Sequence, residues 1–304
     1  MRNSNLSELK LIDFFKRYLK ASDVQLIKGI GDDAAVIKID RDRYLLNTID
    51  MLIEDKHFKS SANLVDVGYK SIACSLSDIA AMGGEPKFAL VSLGMPKRFR
   101  DSNVRLLYKG FKKACDKFNT KIIGGDVNAS DKLVIDISLL GFVKPKNLVL
   151  RGGAKIGDYI FVTGKLGGSI YGRHLKFIPR VKEASYLVNH YKLNAMIDIS
   201  DGLVIDLWRV LKESNTGALI FEKLIPRSRD AKSLDEALYM GEDYELLFTA
   251  SRKEAIKIID DISGKRIKFP LSLIGFVNNK RHRVSLIDRN QREKYLKVKG
   301  FVHF

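Results

Sequence analysis

Acidic side chains that lie beside glycine or other small residues recur along this chain, and they are the residues best suited to chemistry. Their segments are Gly29-Ile30-Gly31-Asp32-Asp33, Thr48-Ile49-Asp50, Leu76-Ser77-Asp78, Gly124-Gly125-Asp126, Ile197-Asp198-Ile199-Ser200-Asp201 and Gly241-Glu242-Asp243. So many carboxylates can share one cleft only if cations neutralise them. Mg²⁺ binds carboxylate oxygens together with substrate phosphates. The pattern therefore favours a site for several Mg²⁺ ions and a polyphosphate such as ATP.

The segment at residues 29–34 also fits the loose dinucleotide-binding pattern G-x-G-x-x-A. That pattern needs a following helix whose N-terminus faces the pyrophosphate, whereas residues 35–39 are typical of a strand. For this segment alone, an ordinary turn in which an aspartate caps the backbone is an equally good interpretation. Asp32 is therefore either a metal ligand or a cap of the turn.

Other known phosphate-binding and hydrolytic motifs are missing from the sequence. Gly164-Lys165 is followed by Leu166, so there is no P-loop, and the protein-kinase motif set, G-x-S-x-G and H-E-x-x-H are absent as well. The glycines before Asp126 would allow backbone N–H groups to approach a phosphate closely. His57 is either a structural histidine or a contact to an anionic or hydroxylated substrate.

The elements that must position these residues alternate between helices and strands in both halves of the chain. Apolar periodicity predicts helices at 7–20, 63–82, 102–118, 202–214 and 253–262. It predicts strands at 35–39, 44–49, 88–93, 121–123, 132–143, 159–163, 195–199, 244–249 and 271–277. We expect Gly124-Gly125 to form a flexible turn, Gly217 to close the helix before it, and Asp201 to begin that helix. The fold class is α/β (α+β), with two sheet-containing domains at 1–145 and 146–304.

Composition narrows the class of protein further. The chain has 304 residues, of which 45% are hydrophobic, and only two cysteines, which excludes a disulfide scaffold and a four-cysteine zinc site. No apolar run reaches the ~18 residues of a membrane span, and no signal-peptide core is visible near Met1, so we expect a cytoplasmic protein without a membrane partner. The net charge of +17 suggests nucleic acid, yet no binding module or basic stripe with aromatic residues is present. We therefore do not expect nucleic acid as a partner.

Taken in order, the acidic motifs resemble those of the thiamine-monophosphate kinase family. The segments are GIGDDAAV at 29–36, SDIAAMG at 77–83, GGD at 124–126, IDISDGL at 197–203 and GEDYEL at 241–246, and the likeness extends to the segment GFVHF at 300–304. That family belongs to an ATP-binding superfamily with aminoimidazole ribonucleotide synthetase, selenophosphate synthetase and a hydrogenase maturation factor. The resemblance implies a homodimer built mainly by the N-terminal domains, with the nucleotide near that interface.

The resemblance also implies the activity and the roles of individual residues. The reaction is ATP-dependent phosphorylation of thiamine monophosphate to thiamine diphosphate, a step of thiamine diphosphate biosynthesis. By their match, the Mg²⁺ ligands are Asp33, Asp50, Asp78, Asp126, Asp198 and Asp201. The ATP contacts are Gly125, Asp126, Arg151 and Ser200, and the substrate contacts are His57, Glu242 and Phe301. For Phe301, packing as an anchor of the chain end is almost as good an interpretation.

The acceptor is already an anion, so we expect direct in-line transfer without a covalent or strong general-base residue. Three departures from the family pattern remove no carboxylate: Asn47-Thr48-Ile49 before Asp50, Val127-Asn128 after Asp126, and Met240 before Gly241. Three alternatives stay open. They are another acceptor within the same superfamily, a nucleic-acid-binding module, and a catalytically inactive metabolite-binding regulator.

Overall fold

The computed structural model describes residues 8–19 and 22–301, which form helices packed on two sheets. The α-helices are α1 (Glu8–Leu19), α2 (Leu64–Ala81), α3 (Asp101–Lys117), α4 (Val181–His190), α5 (Leu203–Ser214), α6 (Leu234–Tyr239) and α7 (Arg252–Ser263). The strands are β1 (Leu26–Lys28), β2 (Ala35–Lys38), β3 (Tyr44–Ile53), β4 (Glu85–Met95), β5 (Lys121–Ala129), β6 (Val134–Val143), β7 (Tyr159–Thr163), β8 (Leu193–Ile199), β9 (Gly217–Phe221), β10 (Glu245–Ala250), β11 (Leu271–Asn278), β12 (Val284–Ile287) and β13 (Glu293–Tyr295). Within the described ranges, no helix is both long and apolar enough to cross a membrane.

The first sheet has the strand order β1-β2-β3-β6-β4-β5, and only the pair β4–β5 is parallel. Helices α2 and α3 pack together and α2 lies on one face of this sheet. Asn63 begins α2 by accepting hydrogen bonds from the backbone N–H groups of Val65 and Asp66. The opposite face carries the exposed apolar side chains of Ile49, Met51 and Leu90.

The second sheet has the order β13-β12-β9-β11-β7-β10-β8, in which only β9 and β12 are parallel. Helices α5 and α6 cover one of its faces, and α4 and α7 cover the other. Because both faces are covered, β10 is buried along its whole length and β7 and β8 along most of theirs. Continuous apolar runs, rather than alternating ones, are typical of strands buried in this way.

The sequence predicted most of these elements correctly. The helices expected at 63–82, 102–118, 202–214 and 253–262 are α2, α3, α5 and α7, each within one residue at either end. The first helix is described as α1, and its expected end residues, Ser7 and Lys20, lie outside the described residues. The mixed α/β fold with two sheets is confirmed. The division at 145/146 stays a prediction.

Three local predictions are wrong. Residues 124–126 do not form a flexible turn, because β5 continues through them and pairs Gly125 with Val91 and Asp126 with Ser92 of β4. Helix α5 ends at Ser214 and is capped by Asn215, which adopts a left-handed conformation (φ 53°), so Gly217 starts β9 instead of closing the helix. Residue 202, not Asp201, immediately precedes the first turn of α5.

Candidate active site

A cleft of about 670 Å³ lies where elements of the first sheet meet those of the second. Its walls come from the turn before β2, from β3 and α2, from the loops after β8 and before β10, and from Phe301. Most of the predicted site residues line it: Asp33, Asp50, His57, Asp78, Arg151, Asp198, Ser200, Asp201, Glu242 and Phe301. Gly125 and Asp126 are not among the lining residues.

Three carboxylates from three different elements converge at the centre of the cleft. Asp33 comes from the turn before β2, Asp78 from α2 and Asp198 from β8, and one oxygen from each lies within 4.8 Å of the others. Oδ2 of Asp33 is buried and has no hydrogen-bond partner among the described residues. A buried carboxylate oxygen without a donor is costly, and a cation would satisfy it.

Hydroxyl groups donate hydrogen bonds to two of these three carboxylates and to the neighbouring Asp50. Thr48 Oγ1 donates to Oδ2 of Asp78 at 2.5 Å, and Ser77 Oγ donates to Oδ2 of Asp198 at 2.7 Å. Ser75 Oγ donates to Oδ2 of the neighbouring Asp50, also at 2.7 Å. Each of these hydrogen bonds fixes one carboxylate oxygen.

Burial and mutual repulsion strongly disfavour charge on these groups. Burial, followed by the charge of Asp50, raises the pKa of Asp78 well above its usual range. Burial, followed by the charge of Asp33, does the same to the pKa of Asp198. The pKa of Asp50 rises to about 6, again chiefly through burial. Without a cation, the cluster therefore resists full ionisation.

Arg151 joins the two aspartates of the turn before β2. Its Nε and Nη2 donate to Oδ1 of Asp33 at 3.2 and 2.6 Å. Its backbone N–H donates to the carboxylate of Asp32 at 3.1 Å, and Lys28 Nζ lies 3.5 Å from the same carboxylate. Asp32 also accepts from the backbone N–H of Asp33. In this structure Asp32 therefore caps backbone groups at the turn.

The loop after β8 depends on two residues that the sequence analysis missed. Buried Asp206 accepts from the backbone N–H groups of Asp201 and Gly202, both at 3.0 Å. Arg209 Nη1 lies 2.6 Å from Asp206 and 2.7 Å from Asp201. Their positions in the first two turns of α5 are the signal that could have identified them as partners of this loop.

One wall of the cleft holds the three predicted substrate contacts. The rings of His57 and Phe301 have centroids 6.2 Å apart, and His57 Nδ1 accepts from the backbone N–H of Ile53. Glu242 is buried, and its Oε2 lies 2.5 Å from Nζ of Lys70, which is fully buried. The sequence gives no sign that Lys70 is buried, because a lysine within an amphipathic helix is normally exposed.

The backbone around Glu242 is constrained on several sides. Glu242 and Tyr244 both have positive φ, at 70° and 51°, which is unusual for residues other than glycine. The backbone N–H of Glu242 donates to the carbonyl of Ser200 at 2.6 Å. A Cβ atom at Gly241 would lie 2.3 Å from that same carbonyl oxygen, so glycine is required there.

The predicted nucleotide residues of β5 lie away from the cleft. Asp126 is on the edge strand of the first sheet, in a cross-strand row with Ser92, Asp136 and Met51. That row belongs to the open face of the sheet, whereas Asp50 faces α2. Within one chain, Asp126 is therefore not brought to the three converging carboxylates.

Comparison with known proteins identifies the family of this chain. Residues 31–143 match AIR synthase related protein, N-terminal domain. Thiamine-monophosphate kinase from Buchnera aphidicola subsp. Schizaphis graminum is 41% identical, over 98% of this chain and 99% of that protein. The Bacillus subtilis (strain 168) thiamine-monophosphate kinase is 33% identical, over 91% and 93%. The solved structure of AaThiL complexed with AMPPCP and TMP has a TM-score of 0.85 at 31% identity, covering 100% of this chain and 99% of that one. The chain belongs to the thiamine-monophosphate kinase family.

Proposed function

We propose that this protein transfers the terminal phosphoryl group of ATP to the phosphate of thiamine monophosphate, giving thiamine diphosphate and ADP. The observation that carries the proposal is the convergence of Asp33, Asp78 and Asp198 in a cleft of about 670 Å³. The relatives at 41% and 33% identity bear the name of this activity. The related AaThiL structure holds an ATP analogue and TMP together.

The donor set of the cleft fits Mg²⁺. Hard oxygen ligands from Asp33, Asp78 and Asp198 would hold it, and the partnerless Oδ2 of Asp33 would gain a partner. Asp50 and Asp201 line the same cleft, so we propose that more than one ion binds. Bound divalent cations would neutralise the phosphates and the charge that develops during transfer.

The residues of the chain then align two anions that repel each other. Arg151 lines the cleft with a guanidinium that also holds Asp33, and Ser200 and Asp201 line it from the loop after β8. We propose that these three residues contact the nucleotide. An oxygen of the acceptor phosphate attacks the γ-phosphorus in line, and ADP leaves from the opposite side. The reaction therefore requires the protein to align the two substrates and to neutralise their charge, and it requires no strong base.

Two side chains that line the cleft and could in principle accept a phosphoryl group, Cys74 and His57, are in environments that disfavour nucleophilic attack. Burial raises the pKa of the Cys74 thiol well above its usual range, and that thiol lies 3.1 Å from the hydroxyl of Tyr244. His57 uses Nδ1 to accept a backbone N–H. We therefore expect no phosphoenzyme.

The wall formed by His57, Phe301 and Glu242 is suited to the acceptor. A thiazolium ring carries a positive charge, which aromatic faces and a carboxylate both favour. His57 and Phe301 present rings 6.2 Å apart, and Glu242 adds the carboxylate. We propose that the organic part of thiamine monophosphate lies against this wall.

We also propose that the protein acts as a homodimer. The open face of the first sheet exposes Ile49, Met51 and Leu90, at 67%, 53% and 43% of their surfaces, and a second copy of the chain would cover these apolar groups. A second copy would also bring Gly125 and Asp126 to the nucleotide of its neighbour. A cytoplasmic location remains a prediction from the sequence.

The direct test is to incubate the protein with ATP, Mg²⁺ and thiamine monophosphate and to separate thiamine diphosphate from the mixture. Unphosphorylated thiamine and other phosphate monoesters serve as alternative acceptors. We expect Mg²⁺-dependent thiamine diphosphate and no labelled protein after a single turnover with γ-labelled ATP. Nucleotide binding without any thiamine diphosphate would mean that the acceptor is wrong.

A further inference from the structure

A stripe of polar side chains on α2 reaches the second half of the chain along the floor of the cleft. Lys70, Cys74 and Ser77 follow one another at helical spacing, so they lie on one face of α2. Ser77 contacts the predicted metal ligand Asp198, and Cys74 contacts Tyr244. Lys70 contacts Glu242, on the proposed acceptor wall. One helix thus links the metal site to the proposed acceptor wall.

Lys70 has an environment that is unusual for a lysine. Its side chain is only 1% exposed, and such burial of a lysine is rare unless the charge is paired. Its Nζ lies 2.5 Å from Glu242 Oε2, 3.1 Å from His174 Nδ1 and 2.9 Å from the carbonyl oxygen of His57. An ammonium group has three donors: the Glu242 carboxylate and the His57 carbonyl accept two of them, and the His174 ring nitrogen lies beside the group.

We propose that Lys70 is a positioning residue for the acceptor: it fixes the Glu242 carboxylate and the His57 main chain from one buried point. Since both residues stand on the proposed thiamine monophosphate wall, this inference rests on the proposed function. Lys70 borders the cleft with its side chain almost completely buried, and it acts through these two residues. His174, from the second half of the chain, completes the clamp around Glu242.

The electrostatics of the clamp agree with this role. Burial alone would raise the pKa of Glu242, but the hydrogen bond of His174 and the charge of Lys70 outweigh it and lower that pKa. Glu242 is therefore held as a carboxylate, the form that attracts a cationic ring. Its left-handed backbone (φ 70°) is a strained conformation that the surrounding contacts must maintain.

Three variants distinguish a role of Lys70 in positioning the acceptor wall from a role only in the stability of the fold. Lys70→Met removes the ammonium and leaves Glu242 buried without its cation. Lys70→Met combined with Glu242→Gln removes both charges, which often restores the stability lost when a buried pair is broken. Arg180→Met is the control, since Arg180 forms a partly buried ion pair with Glu245, and neither residue lines the cleft.

The measurement is steady-state kinetics for both substrates, together with thermal unfolding and calorimetric binding of thiamine monophosphate. We expect Lys70→Met to raise the KM for thiamine monophosphate by about 10- to 100-fold while the KM for ATP changes by less than about threefold. The double variant should regain thermal stability but not acceptor affinity. Arg180→Met should lose stability and keep both KM values.

Other outcomes would overturn the proposal. Equal weakening of both substrates in Lys70→Met, or an unchanged KM for thiamine monophosphate, would reduce Lys70 to a structural ion pair. Recovery of acceptor affinity in the double variant would do the same. If the wild-type protein neither binds nor phosphorylates thiamine monophosphate, the proposed function fails, and the role of Lys70 fails with it. If wild-type activity is present, only the role of Lys70 is at stake.

Discussion

At the scale of single residues, the cleft is organised by hydroxyl groups that each hold one carboxylate oxygen. Thr48, Ser75 and Ser77 bind Asp78, Asp50 and Asp198 in this way. The remaining oxygens are then positioned by the fold before any cation arrives. Such supporting hydrogen bonds commonly determine how tightly a metal is held.

Removing one of these hydroxyl groups should weaken Mg²⁺ binding without altering the fold. For Ser77→Ala, we expect the Mg²⁺ concentration that gives half-maximal rate to rise about 10-fold. The matched control is Ser71→Ala, because buried Ser71 lies on the same helix but donates to the carbonyl of Val67. Equal Mg²⁺ requirements in the two variants would show that the hydroxyl of Ser77 does not support the site.

The raised pKa of Asp50 predicts a pH-dependent cost in the metal-free protein. The pKa of Asp50 is about 6 in the folded chain and 3.8 for the unperturbed group. Below the lower value Asp50 is protonated in both the folded and the unfolded chain, and it then costs the folded state no stability. As the pH rises through the higher value, the unfolded chain has already released the proton and the folded chain must release it too, so the protein loses stability. Asp50→Asn removes this loss and keeps an acceptor for Ser75.

Thermal unfolding in a chelator at about pH 5 and about pH 7.5 checks this prediction. We expect the Tm of Asp50→Asn relative to wild type to increase by roughly 2–5 °C between the two pH values. In excess Mg²⁺ at the higher pH, the wild type should be stabilised more than the variant. A Tm difference that does not change with pH would contradict the raised pKa of Asp50.

The sequence predicted the acidic residues of the cleft more completely than their supports. Asp33, Asp78 and Asp198 stand beside small residues at the ends of elements or on an apolar helix, and such carboxylates need a partner. Lys70, Asp206 and Arg209 were missed because each occupies a helical position where a charged residue is normally exposed. Their roles depend on contacts across long stretches of chain.

At the scale of elements, the errors have a common physical cause. The glycines of β5 suggest a turn, yet pairing with β4 keeps residues 124–126 in an extended strand. Tertiary pairing therefore overrides local preference. Helix α4 and strands β9, β12 and β13 were not predicted from the sequence, because hydrophobic periodicity is a weak signal in elements this short.

Gly241 tests how far the acceptor wall depends on backbone packing. In Gly241→Ala, the new Cβ would lie 2.3 Å from the carbonyl oxygen of Ser200, so the loop that carries Glu242 must move. We expect a Tm lower by several degrees and a KM for thiamine monophosphate at least about 10-fold higher.

The control for this loop is Gly157→Ala. Gly157 has φ +89° with no atom within 4 Å of an added Cβ, so alanine there costs only about 1 kcal/mol of conformational strain. It should leave both KM values unchanged. If the two variants have the same kinetics, the tight packing at Gly241 does not position Glu242.

At the scale of the whole molecule, the two halves of the chain are joined by more than the cleft. Lys16 of α1 pairs with Glu213 at the C-terminal end of α5, and Asp13 pairs with Lys212. The predicted division at 145/146 assigns α1 to the first half, although these ion pairs tie it to the second. Contacts between residues nearly 200 positions apart give no signal in the local sequence pattern.

A shared site between two copies can be tested by complementation. If Asp126 serves the nucleotide site of the neighbouring chain, Asp126→Asn and Asp78→Asn should each be inactive alone. Co-expressed, they should recover about a quarter of wild-type activity, because half of the dimers then contain one intact site. No recovery in mixed dimers of confirmed size would place Asp126 in the site of its own chain.

The most direct test of the account is the Mg²⁺ dependence of thiamine diphosphate formation in wild type and in Asp198→Asn. This variant keeps the size of the side chain and an acceptor for Ser77, and it removes one of the three converging charges. We expect kcat to fall by about 100-fold or more, with a higher Mg²⁺ requirement. A variant with wild-type kcat and an unchanged Mg²⁺ requirement would contradict the assignment of this cluster as the metal site for phosphoryl transfer.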